Sequence, residues 1–122
     1  MARVLIIEDD PDIRELLAEL LAAAGHTNNT ANNGALALQL LAMHSAGFDL
    51  IVTDILMPER DGLEVLWELQ TVNPRQKVIA ISGAPTQWMV LETAAELGAS
   101  RTVAKPFTPI EIIKAVESVS AS

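Results

Sequence analysis

The sequence predicts an α/β fold built on a five-stranded parallel sheet, and three observations lead there. Short runs rich in β-branched residues and leucine end in turn or acidic residues. A helical pattern follows each one. The strand-like runs are continuously apolar rather than alternating, as in strands covered on both faces.

Val4 to Ile7 is the first such run, and it stops at Glu8-Asp9-Asp10. Pro11 suits a first helical turn, and Ile13, Leu16, Leu17, Leu20 and Leu21 recur at helical spacing for a core face, with Arg14, Glu15 and Glu19 on the other. Gly25 ends that helix. Between it and Gly34 the pattern is faint, and an edge strand is placed over 26–31 because the alternation of elements needs one. Ala35 to His44 reads as a helix with Leu36, Leu40, Leu41 and Met43 available to the core. The third strand is Leu50 to Thr53. Asp61 can cap a helix whose apolar positions are Leu63, Leu66, Trp67 and Leu69, with Trp67 assigned to the core and Pro74 as the boundary. Val78 to Ile81 is the fourth strand, a helix over 86–97 closed by Gly98 follows, and Thr102 to Ala104 is the fifth. The last helix runs from Pro109 to about Val119.

Right-handed crossovers leave few topologies for this order. The common doubly wound choice for five strands is the flavodoxin-like order 2-1-3-4-5, which binds ligands at the carboxyl ends of the strands where strands 1 and 3 diverge. At 122 residues the chain fits one domain with a sizeable core. Strand and helix patterns fill residues 1–122, so a second domain is not expected.

Composition removes several classes of function. No cysteine is present, so disulfides, thiolate metal sites and cysteine nucleophiles are excluded. A net charge of −8 with dispersed Lys and Arg opposes a nucleic-acid surface. The N-terminal apolar run turns acidic at Glu8, too soon for a signal peptide. The longest apolar-rich segment, from Leu16 to Gly25, is too short to span a bilayer. The expectation is a cytoplasmic protein that contacts neither nucleic acid nor membrane.

One carboxylate, Asp54, sits inside the apolar run Leu50-Ile-Val-Thr-Asp-Ile-Leu-Met-Pro. An ionised carboxylate in such surroundings needs partners. In the 2-1-3-4-5 order, Glu8-Asp9-Asp10, Asp54, Ser82 and Lys105 close strands 1, 3, 4 and 5 and converge on one sheet edge. Carboxylates this close repel by roughly 4 kcal/mol per pair at an effective dielectric near 20. A hard divalent cation such as Mg²⁺ removes the conflict. Lys105 adds an ammonium and Ser82 a hydroxyl, both suited to phosphoryl oxygens. A carboxylate can attack phosphorus to form an aspartyl phosphate, and Asp54 is the natural acceptor. Gly83 is expected to leave room for the entering group.

Together Ile6-Ile-Glu-Asp-Asp, Val52-Thr-Asp-Ile-Leu-Met-Pro with Asp61-Gly62, Ile81-Ser-Gly and Lys105-Pro-Phe resemble the receiver domain of two-component response regulators, across essentially the whole chain. The resemblance implies a phosphorelay switch in which Asp54 accepts a phosphoryl group from a phosphohistidine on a sensor histidine kinase or histidine phosphotransfer protein. It implies Mg²⁺ held by Asp9, Asp54 and the Leu56 backbone carbonyl, with Glu8 acting through water. Ser82 and Lys105 would contact the phosphoryl oxygens, while Pro58, Gly83 and Pro106 shape the backbone around them, with a cis Lys105-Pro106 bond. Catalysis would extend only to the protein's own phosphorylation and dephosphorylation. An unknown output protein would read the state, with the 86–107 region as a candidate surface. Thr102 departs from the pattern, because receivers usually carry an aromatic residue three positions before the lysine.

Two other readings share these residues. A Mg²⁺-dependent aspartyl-phosphate phosphatase needs a second aspartate two positions after the first as general acid and base, and here that position is Leu56. A scaffold that is never phosphorylated would not need the full set of Glu8, Asp9, Asp54, Ser82 and Lys105. Asp10 and Asp12 read as a helix N-terminus. His26 and His44 lack ligand spacing and read as surface or helix-end residues. Trp88, Met89, Val90 and Leu91 are too closely spaced to be buried together, which leaves either a partner surface or scattered exposed hydrophobes.

Overall fold

The computed structural model describes residues 2–43, 47–55, 62–73, 75–83, 92, 94, 95 and 98–120, with backbone alone at 62–65 and 72. In chain order these form β1 (Arg3–Ile7), α1 (Pro11–Ala23), β2 (Thr27–Ala31), α2 (Gly34–Met43), β3 (Leu50–Asp54), α3 (Gly62–Val72), β4 (Val78–Ser82), β5 (Arg101–Ala104) and a last helix (Pro109–Ser120). The strands make one parallel sheet in the order β2-β1-β3-β4-β5, as the sequence predicts.

Each strand of the sheet centre divides its side chains between two cores. Val4, Ile6, Val52, Ile79 and Ile81 point to the face covered by α1 and the last helix, where they meet Leu17, Leu21, Ile112 and Val116. Leu5, Ile7, Ile51, Val78 and Ala80 point to the opposite face and meet Ala37, Leu66 and Leu69. Burial on both sides is why β1, β3 and β4 read as unbroken apolar runs. The edges β2 and β5 bury far less. That is why Thr27–Ala31 carried so little signal.

Helix ends follow local chemistry. Asp10 caps α1, its side chain accepting from the N–H groups of Asp12 and Ile13. At the other end Gly25, at φ +91°, donates to Ala22 while His26 N–H donates to Leu21, the paired pattern of a glycine-terminated helix. Gly98 N–H to Ala95 and Ala99 N–H to Ala94 repeat it. The last helix opens with a reciprocal box, in which Thr108 Oγ1 accepts from Glu111 N–H and Glu111 Oε1 accepts from Thr108 N–H, both at 3.2 Å.

Several core assignments change. Trp67 is 57% exposed rather than core. With Leu66 and Leu69 facing the sheet, a residue one step after Leu66 is turned about 100° away. Leu16 on α1 is likewise exposed, because Leu17 and Leu21 take the inward row. On α2 the small Ala37 is buried, Leu40 and Leu41 pack at the margin, and Leu36 and Met43 are exposed. The Asp61 cap, the Leu63 side chain, His44, and Trp88 through Leu91 fall outside what the structure describes. Of the helix expected over 86–97, Glu92, Ala94 and Ala95 are described, and they are helical.

Candidate functional site

The carboxyl ends of the strands bring the acidic residues together through the register of the sheet. Thr53 pairs with Ile7, which sets Asp54 beside the loop that begins at Glu8. Asp54 pairs with Ile81, so Ser82 lies one step farther along the neighbouring strand. Ser82 pairs with Ala104, and its carbonyl accepts from Lys105 N–H at 2.8 Å. Lys105 thus leaves the sheet edge directly beside the acids.

Asp54 is 6% exposed and Glu8 1%. Lys105 Nζ donates to Asp54 Oδ2 at 3.0 Å and to Glu8 Oε2 at 3.3 Å. Burial comes first in pushing the Glu8 carboxyl up to about 8, and repulsion from Asp54 adds to it, outweighing Lys105 and the Asp10 N–H. Burial alone would lower the Lys105 ammonium, but its hydrogen bond to Asp54 and the charges of Asp54 and Glu8 hold it above its ordinary value. One ammonium therefore does not neutralise the pocket.

Glu8, Asp9 and Asp54 each offer a carboxylate oxygen, and these atoms lie within 4.8 Å of one another. Such oxygens are the ligands that Mg²⁺ prefers, with water completing its shell. All three donors are hard oxygens. The donor set, three carboxyl groups beside one ammonium, fits a divalent cation.

The Lys105-Pro106 bond is cis. Leu56 and Pro58 lie outside the described residues. At Gly83 a Cβ would fall 2.7 Å from Lys105 Cβ and 3.1 Å from its Cδ. The missing side chain makes space for the lysine stem itself, whose backbone is pinned to Ser82. Thr102 is exposed on β5 and pairs with Ala80. Asp10 acts as a cap and lies outside the carboxylate cluster. His26 sits at a strand end, its Nδ1 accepting from Ala2 N–H at 2.9 Å.

Two contributors carried no signal in the sequence. Thr53, wholly buried, donates its hydroxyl to the Asp54 carbonyl at 2.9 Å. Arg14, assigned only to the polar face of α1, reaches back to the Glu8 carbonyl at 3.0 Å. A spacing of six residues across a loop has no periodic signature.

Comparison with known proteins agrees with this geometry. Residues 4–117 match the response regulator receiver domain family. The chain is 33% identical over 119 residues to the chemotaxis protein CheY of Thermotoga maritima, covering 97% of each. It is 33% identical over 116 residues to the DNA-binding transcriptional regulator NtrC of Azospirillum brasilense, covering 95% of this chain and 24% of that one. The crystal structure of the response regulator TrrA of Thermotoga maritima in complex with Mg²⁺-BeF superposes with a TM-score of 0.86 at 33% identity, covering 98% of this chain and 99% of that one. No described helix is long and apolar enough to cross a membrane. The chain belongs to the response regulator receiver domain family, the phosphorylation-dependent switches of two-component signalling.

Proposed function

We propose that Asp54 is the phosphoryl acceptor of this switch, with a phosphohistidine on a sensor kinase or phosphotransfer protein as its donor. The observation that carries this is the placement of Asp54: a buried carboxylate at the end of a central strand, with Lys105 Nζ at 3.0 Å and two further carboxylates beside it. An Asp54 oxygen attacks phosphorus, and the O–P bond forms as the P–N bond to imidazole breaks. The electron pair leaves on the imidazole nitrogen, which takes a proton from water. The Lys105 ammonium follows the charge from the carboxylate to the phosphoryl oxygens, and the Ser82 hydroxyl donates to another of them.

Receivers bind Mg²⁺ at this acidic pocket, and here Asp9 and Asp54, with Glu8 through water and the Leu56 carbonyl, would hold it. When bound, the ion neutralises the charge that builds on the transferring group. The same proposal takes residues 1–122 as a single cytoplasmic receiver domain, whose output runs through a partner that distinguishes its two states. Phosphorylation shifts that equilibrium only by its differential interaction with them. The Lys105 end of the 86–107 region, next to the acceptor, is the surface proposed to report the change.

The test is intact-protein mass after incubation with Mg²⁺ and acetyl phosphate, with Asp54→Asn in parallel. A single phosphoryl adduct on the wild type, absent from the variant, is expected. Equal adducts on both would move the acceptor elsewhere.

A further inference from the structure

Glu8, Asp9 and Asp10 form the connection between β1 and α1 and carry two of the three clustered carboxylates. Its strand end is fixed by Glu8 N–H donating to the Ala31 carbonyl at 3.0 Å. Its helix end is fixed by Asp10, which caps α1 through its side chain and accepts from Arg14 N–H through its carbonyl at 2.9 Å. Arg14 then returns to the same loop with its guanidinium. Nη1 donates to the Glu8 carbonyl at 3.0 Å, with a longer contact of 3.5 Å to the Asp9 carbonyl.

Resting on the cation site proposed above, we infer that Arg14 is a positioning residue for that site, holding the backbone of Glu8 and Asp9 so that both carboxylates face Asp54. The carbonyl direction at Glu8 and the side-chain direction at Asp9 are set by the same few backbone dihedrals. A guanidinium that fixes the first restricts the second. Arg14 acts through backbone carbonyls and touches neither the cation nor the reacting atoms.

Positioning by Arg14 and its simple charge effect act with opposite signs. Arg14 is a positive charge beside an acidic pocket, so by charge alone its removal would tighten binding of a divalent cation. Loss of positioning weakens it, and outer partners of metal ligands typically matter by about 10-fold to 100-fold in affinity.

The experiment titrates MgCl₂ alone into the full chain calorimetrically, for wild type, Arg14→Met and Arg14→Lys, with thermal unfolding in EDTA recorded for each. Met keeps the aliphatic stem and removes the donors, and its affinity is expected to fall by about tenfold. Lys keeps the charge and one point donor, and its affinity is expected to lie between the other two. In acetyl phosphate labelling, the MgCl₂ concentration giving half the maximal rate should rise in step, with the rate at saturating MgCl₂ unchanged. Unchanged or tighter Mg²⁺ binding in Arg14→Met overturns the inference. Should that variant not fold, Arg14→Lys decides: weaker binding supports the role, and wild-type affinity overturns it. A wild type that binds no Mg²⁺ removes the cation site and this inference together, whereas wild-type binding with unaffected variants removes the Arg14 role alone.

Discussion

Lys105 and Asp54 are 51 residues apart in the chain, yet Lys105 Nζ donates to Asp54 Oδ2 at 3.0 Å. The same ammonium reaches Glu8 Oε2 at 3.3 Å. This bridge makes one lysine responsible both for the stability of a buried acidic pair and for the charge balance of the proposed acceptor.

Replacing Lys105 should therefore affect two measurements together. Lys105→Met should slow labelling by acetyl phosphate at saturating Mg²⁺ by about 10²-fold or more, the usual cost of losing one preorganised donor. In metal-free buffer it should also destabilise the fold by on the order of 2 kcal/mol. That is below the usual 3–5 kcal/mol for breaking a buried pair, because Lys105 keeps some contact with water. Single-turnover labelling and urea unfolding check the two effects.

The raised Glu8 carboxyl predicts the pH dependence of the metal-free protein. Below about 4.5 Glu8 is protonated in both folded and unfolded states and has no effect on the balance. Between there and about 8 the folded state holds a proton that the unfolded state has released, so stability falls as pH rises, and above about 8 the penalty is complete. Glu8→Gln should flatten that slope. Urea midpoints measured in EDTA across this range test it.

The proposed cation site counts Asp9 as a ligand, and its carboxylate lies close to those of Glu8 and Asp54. Asp9→Ala should weaken Mg²⁺ binding and raise the unfolding temperature in EDTA. Calorimetric titration and thermal melts check the opposite signs, and unchanged Mg²⁺ affinity would remove Asp9 from the ligand set.

Thr102 stands exposed where receivers usually carry an aromatic residue. Thr102→Ala should leave labelling intact and change stability by no more than about 0.5 kcal/mol, as surface substitutions do. A large loss of labelling would show that this hydroxyl takes part in the chemistry.

How much of this was legible in the sequence depended on burial. β1, β3 and β4 are covered on both sides, so their side chains are almost all apolar and the runs stand out. In the edge strand β2, Asn28, Asn29 and Thr30 face mixed surroundings, and no pattern is imposed on them. The acidic cluster was visible because a charge ending an apolar strand demands a partner, and topology alone brings Lys105 to it. Trp67 misled because helical spacing marks a face without saying which edge of it turns outward. Arg14 and the hydroxyl of Thr53 were hidden because their partners are backbone carbonyls, which every residue possesses.

The proposed switch turns on one carboxylate, Asp54, becoming an acyl phosphate. The most direct measurement treats the phosphorylated protein with borohydride, which reduces an aspartyl phosphate to homoserine, and locates the product by peptide mass mapping. Homoserine at position 54 alone is the predicted result. Homoserine at position 9, or a phosphoryl adduct that yields none, would contradict it.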